Sequence, residues 1–143
     1  MKLLALDVGD RRVGVAVSDA TGLIATPLTV LRRKSKAEDF ARIARLAREQ
    51  GAEGLVVGHP LDEDGSAGPQ ARRIERYAEA LREALQVEGL ALPIHFQDER
   101  LSTQRAQEAM IAAGRGAQDR RTRIDAVAAA VILQDYLDEL RNG

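Results

Sequence analysis

Three acidic residues of this sequence have surroundings in which a carboxylate needs an explanation: Asp7, Glu99 and Asp125. Asp7 interrupts an apolar run near the amino terminus, and burying a lone carboxylate costs several kcal/mol unless a partner compensates its charge. Clustered carboxylates repel one another, and a divalent cation that relieves the repulsion can also position water and stabilise the leaving oxygen of a phosphodiester. If the fold brings the three residues together, they predict metal-dependent hydrolysis of phosphodiester bonds.

Each of these residues also has a purely structural explanation. Asp7 could pair with Arg11 or Arg12, or cap the turn that follows it. Glu99 could belong to an ordinary polar loop after a strand, and Asp125 could stabilise the positive end of a helix dipole. The residues alone leave these alternatives open.

The residue types present limit the kind of metal site. The chain contains no cysteine and two histidines, His59 and His95. Disulfides, thiolate zinc sites and cysteine nucleophiles are therefore excluded, and a metal site has to be built mainly from carboxylates. Carboxylate ligands favour hard ions, so Mg²⁺ or Mn²⁺ is the expected cofactor.

The length of 143 residues is that of one ordinary domain, which we expect to span residues 1–143. The apolar run at the amino terminus is too short to cross a membrane, contains Asp7 and lacks a signal-peptide cleavage pattern. A cytoplasmic protein with no membrane partner is therefore expected.

Basic residues are clustered although the formal net charge is −1. Two clusters stand out: Arg32, Arg33, Lys34 and Lys36, and then Arg115, Arg120, Arg121 and Arg123. Because arginine binds phosphate through two parallel hydrogen bonds, we expect contacts with a nucleic-acid backbone and an affinity that falls steeply with added salt. Aromatic residues are scarce, so base stacking is not expected to dominate recognition.

The order of apolar patterns predicts an α/β fold. Strands are predicted at residues 2–8, 12–18, 27–31, 54–57 and 92–97, and helices at 37–50, 71–85, 102 or 103 to 113, and 124–140. The first strands form an antiparallel hairpin or meander, and helical crossovers make the later strands parallel to the first. We therefore expect a five-stranded mixed sheet with helices on both faces.

Two segments between these elements are predicted to be loops. Residues 58–68 are rich in Gly, Pro and Asp, and residues 114–123 are basic and contain two glycines, which indicates a mobile surface loop. In the last helix, the inward-facing residues are predicted to be Val127, Val131, Tyr136 and Leu140.

Four segments resemble the motifs of the YqgF/RuvX family. They are Leu-Asp-Val-Gly-Asp-Arg-Arg-Val-Gly-Val-Ala-Val-Ser-Asp near the amino terminus, Val57 to Gly68, Asp98 to Thr103, and Ile124 to Gln134. They occur in the family's order and span nearly the whole chain.

The resemblance implies an RNase H-like fold similar to that of Holliday-junction resolvases of the RuvC type. It implies a carboxylate triad that maps onto Asp7, Glu99 and Asp125, so these are the expected catalytic and metal-binding residues. The family is described both as Holliday-junction resolvases and as nucleases that mature the 5′ end of small-subunit ribosomal RNA, and the sequence does not choose between branched DNA and RNA. A four-way junction has two symmetric cleavage points, so a resolvase of this size could be a homodimer.

Further residues receive roles from their proximity to these motifs. The predicted contacts to the substrate phosphates are Arg11, Arg100, Arg115, Arg120, Arg121 and Arg123. The predicted supporting and groove-lining residues are Ser18, Asp19, Thr103, Gly58, His59 and Gly65. His59 replaces an apolar residue expected there, and it could contact phosphate or be a tolerated loop substitution.

Two other functions remain possible at this point. Actin-like and sugar-kinase ATPases share the opening hairpin with Asp-x-Gly, but they need two such domains. A non-catalytic nucleic-acid-binding module could keep the fold without turnover, although the presence of all three carboxylates argues against it.

Overall fold

The computed structural model describes residues 1–99, 108 and 117–143, with the backbone alone for residues 117–122. In chain order the elements are β1 (Leu3–Val8), β2 (Arg12–Ser18), β3 (Ala25–Arg32), α1 (Lys36–Gln50), β4 (Gly54–His59), α2 (Pro69–Val87), β5 (Ile94–Asp98) and α3 (Ala117–Asn142). The helix predicted to end near residue 113 lies outside the described residues, apart from Glu108.

The strands form a single mixed sheet with the order β3-β2-β1-β4-β5. β1 pairs antiparallel with β2 and parallel with β4, and β4 pairs parallel with β5. The parallel pairs follow from the helical crossovers α1 and α2, which return the chain to the same end of the sheet. The carboxyl ends of β1, β4 and β5 therefore lie along one side of the sheet, which we call the carboxyl edge. The predicted five-stranded mixed sheet is confirmed.

Helices cover both faces of the sheet. On one face, α1 and α2 pack over Leu4, Leu6 and Val57, whereas α3 packs over Ala5 and Val56 on the other. Alternate residues of β1 thus enter opposite cores, which explains why its sequence is apolar almost throughout. The same alternation assigns Asp7 to the face covered by α3.

Local sequence signals fix the ends of α1 and the position of β3. Ser35 caps α1 by accepting a hydrogen bond from the Glu38 backbone N–H at 3.2 Å, and Gly51 ends the helix with a φ of 65°. β3 contains Pro27, which an edge strand tolerates because a proline there costs no central ladder bond.

The last helix is longer than predicted and presents a different face. Residues 117–123 are helical, so the prediction of a loop through residue 123 is wrong. The segment after Gly116 contains neither glycine nor proline, and most of its residues favour or tolerate a helix without needing an apolar face.

The predicted inward face of α3 is also wrong. Leu140 is 56% exposed, and Val127, Val131 and Tyr136 are only half-buried. The buried face of α3 consists of Ala126, Ala128, Ala129, Ile132, Leu133 and Leu137. Small alanine side chains let the helix lie close to the sheet, and a periodicity based on large apolar residues misses them. None of the helices in residues 1–99, 108 and 117–143 is long and apolar enough to cross a membrane.

Candidate metal-binding site

Asp7 and Glu99 meet at the carboxyl edge although their strands are not neighbours. Asp7 is the fifth residue of β1, and Glu99 directly follows β5. The backbone N–H of Glu99 donates a hydrogen bond to the carbonyl of His59 at 3.2 Å, which ties this residue to the end of β4. The two carboxyl side chains are hydrogen-bonded to each other. The sheet order therefore brings two of the three predicted residues into direct contact.

Gly58 makes this contact possible. It lies in β4, between the strands that carry the two acids, and a Cβ atom there would be 2.9 Å from both Cδ and Oε2 of Glu99. The same Cβ would be 2.8 Å from Cδ1 of Ile132 in α3. Because carbon atoms do not approach that closely without strain, a side chain at this position would displace the Glu99 carboxyl. Gly58 therefore contributes through its missing side chain.

The carboxyl pair is strongly perturbed. Burial raises the pKa of Glu99 from 4.5 to about 9, with further contributions from the hydrogen bond to Asp7 and from the charges of Asp7 and Asp98. Burial also raises the pKa of Asp7, opposed by the hydrogen bond from Glu99 and reinforced by the charge of Asp125. At neutral pH the Glu99 carboxyl thus stays protonated and donates a hydrogen bond to the Asp7 carboxylate. A divalent cation that bound between the two carboxylates would replace this proton.

Asp125 lies near this pair but has a different partner. Its Oδ2 accepts a hydrogen bond from Nε of Arg12 at 2.7 Å, forming an ion pair across the β2–α3 interface. Gly14 sets the depth of that interface, because a Cβ at Gly14 would be 1.9 Å from the carbonyl oxygen of Asp125. The close approach of α3 to β2 is what carries the third acid to the carboxyl edge.

The donor set fits a hard divalent cation, although the side chains are not arranged around one. In the described part of the chain, no group of three or more His, Asp or Glu side chains is placed to hold a metal ion. Two causes are visible, since Asp7 and Glu99 are joined through a proton and Asp125 is turned towards Arg12. Carboxylate oxygens are the ligands that hard divalent cations prefer.

Two arginine side chains lie beside Asp125. A shallow cavity is lined by Gly9, Asp10, Arg11, Arg12 and Asp125. The predicted contact between Arg11 and phosphate remains a prediction. Arg12 was considered only as a partner of Asp7, and the structure instead pairs it with Asp125.

Two predicted supporting residues lie far from the acids. Ser18 is buried at the opposite end of the hairpin, where its Oγ accepts a hydrogen bond from the Leu3 N–H at 2.8 Å. Asp19 organises the following turn by accepting hydrogen bonds from the backbone N–H groups of Leu23 and Ile24, and these bonds and one from Thr21 lower its pKa. The prediction that Ser18 and Asp19 support the carboxylates is wrong, because the hairpin places them about four residues of strand away from Asp7.

His59 and Gly65 have structural partners of their own. His59 is the last residue of β4, not a loop residue, and its Nε2 lies 2.8 Å from Oε2 of Glu75 on α2. Its ring also packs on Phe96, with the ring centroids 4.9 Å apart. Gly65 lies in a turn with a φ of 86°, and its backbone N–H donates a hydrogen bond to the carbonyl of Asp62 at 2.8 Å. His59 therefore faces the α2 side of the sheet, away from the acids.

The remaining predicted residues divide by whether the structure describes them. Arg123 is exposed near the start of α3. Arg120 and Arg121 lie in the helical backbone of α3, and Arg100, Thr103 and Arg115 fall outside the described residues. Their predicted contacts with phosphate remain predictions.

Sequence reasoning overlooked the function of Gly14. A glycine between Val13 and Val15 in an alternating strand signals a close approach by another backbone. That signal was present in the sequence, whereas the identity of the approaching segment depends on the tertiary fold.

Comparison with known proteins identifies the family. The RuvX family profile, described as Holliday junction resolvase, matches residues 1–139. The chain belongs to this family. The predicted family and the predicted nuclease class are thereby confirmed.

Individual relatives agree with this result. A protein of Roseiflexus sp. (strain RS-1) named "Putative pre-16S rRNA nuclease" is 44% identical over 140 residues, which cover 98% of this chain and 96% of that protein. T. thermophilus RuvC in complex with Holliday junction substrate matches with a TM-score of 0.62 and 15% identity, over 100% of this chain and 97% of the other. The fowlpox virus Holliday junction resolvase matches with a TM-score of 0.58 and 13% identity, over 97% and 99% of the two chains. These structural matches confirm the RNase H-like, RuvC-like fold.

Proposed function

We propose that residues 1–143 act as one RNase H-like domain that hydrolyses phosphodiester bonds, with Mg²⁺ or Mn²⁺ bound by Asp7, Glu99 and Asp125. The observation that carries this proposal is the half-buried, hydrogen-bonded carboxyl pair of Asp7 and Glu99, with Asp125 close enough for its charge to raise the pKa of Asp7. A fold has little structural reason to place two hydrogen-bonded acids together at the ends of two parallel strands of one sheet, and such perturbed groups are typical of functional sites.

The chain's own residues would act as follows. Asp7 lies between the other two acids and anchors the site, Glu99 releases its proton to become a ligand, and Asp125 turns from Arg12 to complete the set. The cation, when bound, supplies an activated water and stabilises the charge on the leaving oxygen. Arg12, released from Asp125, and its neighbour Arg11 are then available to hold the phosphate by charge-assisted hydrogen bonds.

The proposed substrate is structured nucleic acid. The family description names Holliday junctions, whereas the relative from Roseiflexus is named for pre-16S rRNA, so both substrates belong in the first assay. A junction substrate would be served by a homodimer, because its two cleavage points are related by symmetry. A precursor of ribosomal RNA would place the protein in the cytoplasm.

The test is cleavage of a panel containing a four-way junction, single-stranded DNA and RNA with the 5′ flank of small-subunit ribosomal RNA. Wild type and Asp7→Asn are compared in Mg²⁺, in Mn²⁺ and in chelator. We expect wild type to cut at least one substrate with metal only, and Asp7→Asn to cut none. The preferred substrate then decides between the two proposed substrates.

Asp138→Asn is the matched control. Like Asp7→Asn, it replaces an aspartate by asparagine, but at a half-exposed residue of α3 that pairs with Arg141. We expect it to cleave as wild type does. Equal cleavage by wild type and Asp7→Asn would overturn the assignment of Asp7 to the metal site. Tight nucleic-acid binding by wild type without any cleavage would overturn the proposal and favour a non-catalytic binding module.

A further inference from the structure

A second cavity opens at the carboxyl edge on the face covered by α1 and α2. Its volume is about 260 Å³, and it begins at Gly9, two residues after Asp7. Because alternate residues of β1 face opposite sides of the sheet, this cavity and the three acids lie on opposite faces. We call it the basic cavity, after the side chains that line it.

Four cations and one carboxylate line the basic cavity. The cations are Arg33, Lys36, Arg73 and Arg76, and the carboxylate is Asp10. None of the four cations forms an ion pair with an acidic side chain of residues 1–99, 108 or 123–143. Like charges brought to one cavity repel each other, so an anion bound among them would be stabilised by all four.

The wall of the cavity is already organised. Arg33 donates a hydrogen bond through Nη1 to the carbonyl of Gly9 at 2.8 Å, and its guanidinium carbon lies 5.2 Å from the centre of the Tyr77 ring. Phe40 packs against the same ring in an edge-to-face contact, with the ring centroids 5.2 Å apart. These contacts hold Arg33 in place before any ligand arrives, which reduces the entropy lost on binding.

Tyr77 supplies a second, independent sign of a ligand. It lines the cavity and is 5% exposed, yet its hydroxyl has no hydrogen-bond partner among the described residues. Buried hydroxyl groups are normally paired, and unpaired ones in native structures often mark a missing ligand or water. The hydroxyl oxygen is itself closed off from solvent, so an anion beside Arg33 would accept a hydrogen bond from it only after the Tyr77 ring shifts towards the cavity.

We propose that the basic cavity binds a phosphate group of the nucleic-acid substrate at a position other than the bond that is cut. A phosphate matches the cavity's arginines and its unpaired hydroxyl donor. A nucleic-acid strand that crosses the carboxyl edge could thus be bound on one face of the β-sheet and cleaved on the other. This inference rests on the proposed function for the identity of the substrate, but the phosphate site itself does not require catalysis.

The test removes two of the cations and measures binding. Arg73→Gln/Arg76→Gln changes two exposed residues of α2, where glutamine favours the helix, so the fold should be retained. Arg82→Gln is the matched control, because Arg82 is also exposed on α2 but pairs with Glu79 outside the cavity. Binding of the four-way junction and of the RNA is measured by fluorescence anisotropy in chelator at several salt concentrations.

We expect the double variant to bind about tenfold more weakly and its salt slope to fall by about 1, as for the loss of one phosphate contact. The control should bind as wild type does. A second readout is thermal stabilisation by inorganic phosphate relative to chloride of equal ionic strength, which the double variant should lose. An equal loss of nucleic-acid binding in the control would overturn the proposal by showing a general charge effect.

Two further outcomes separate the possible sources of the phosphate. If inorganic phosphate stabilises wild type but the double variant binds nucleic acid normally, the cavity takes a free phosphate compound and the proposal is overturned. If the chain cleaves nothing but the double variant still lowers the salt slope, the phosphate site stands and the proposed nuclease function fails. Asp7→Asn, which should keep the slope and lose cleavage, makes this distinction directly.

Discussion

The carboxyl edge contains two pairs of side chains that differ in how the charge of their acids is balanced. Asp7 and Glu99 are half-buried and hydrogen-bonded to each other, and desolvation is the largest cause of their raised pKa values. Asp125 and Arg12 form an ion pair at 2.7 Å whose side chains remain 26% and 52% exposed. The first pair joins two acids, whereas the second joins an acid to a cation whose charge water already screens.

This difference explains how the site could switch to binding a cation. The half-buried pair is unfavourable as two carboxylates, so it favours any positive charge that reaches it, whether a proton or a metal ion. The exposed ion pair contributes little stability, since such pairs are typically worth about 0–1 kcal/mol. Asp125 can therefore leave Arg12 at low cost, whereas Asp7 and Glu99 are fixed by the sheet.

The largest predicted effect follows from removing the half-buried acid without changing its shape. Glu99→Gln should lower metal-dependent cleavage by more than about 100-fold, beyond what groups supporting a metal ligand usually contribute. Its free energy of unfolding in chelator should nevertheless stay near that of wild type at about pH 4, because Glu99 is protonated in both the folded and the unfolded protein there. Cleavage assays and urea unfolding measure the two effects.

Two outcomes would contradict this comparison. A variant that loses stability as strongly as activity would indicate that Glu99 is mainly structural. A variant that keeps both would remove Glu99 from the site. Glu79→Gln, which breaks an exposed pair with Arg82 on α2, is the control and should change neither cleavage nor stability appreciably.

Alanine substitutions at two glycines test how tightly each pair is positioned, through their effect on the free energy of unfolding. A Cβ at Gly14 would be 1.9 Å from backbone atoms of Asp125, so Gly14→Ala must move α3 itself. We expect it to lower the free energy of unfolding by about 3 kcal/mol or more, the upper range for overpacking. At Gly58 the atoms in the way are the ends of two side chains, so Gly58→Ala should cost less stability, about 1–3 kcal/mol.

At Gly58 we expect the loss of cleavage to be larger than the loss of stability. Gly58→Ala displaces the Glu99 carboxyl, so its cleavage should fall far more than its modest loss of stability suggests. Thermal and urea unfolding, with cleavage measured well below the melting temperature, separate the two effects. A fully active Gly58→Ala would show that the position of Glu99 is not critical.

Much of this arrangement could be predicted from the sequence, because strand alternation and helix periodicity report burial on each face. Asp7, inside an apolar strand, was recognisable for that reason. Ser18 and Asp19 were misplaced because a motif groups residues by sequence proximity, whereas a hairpin separates its two ends in space. The pairing of Asp125 with Arg12 depends on how closely α3 approaches β2. In the sequence, the glycine at position 14 is the signal that indicates this close approach.

The pH dependence of stability tests the half-buried pair directly. Glu99 has a pKa of about 9 in the folded protein against 4.5 ordinarily, so its contribution is fully present below about pH 4.5 and is lost as the pH rises through about 9. In chelator, wild type should therefore lose stability between pH 5 and pH 9 relative to Glu99→Gln, which has no proton to release there. Urea unfolding at intermediate pH values measures the difference. Parallel curves for the two proteins would mean that Glu99 is not protonated in the folded state.

The smallest predicted effect concerns the exposed ion pair. Arg12→Gln should change the free energy of unfolding by less than about 1 kcal/mol, because the Asp125–Arg12 pair is screened by water. The same change frees Asp125 to complete the metal site, so less Mn²⁺ should be needed for half-maximal thermal stabilisation. Arg48→Gln, which breaks a comparable exposed pair with Glu88, serves as the control and should leave the Mn²⁺ requirement unchanged. If Arg12→Gln instead raised the Mn²⁺ requirement, Arg12 would be orienting Asp125 for the cation, and the exposed pair would be part of the site that it was expected only to restrain.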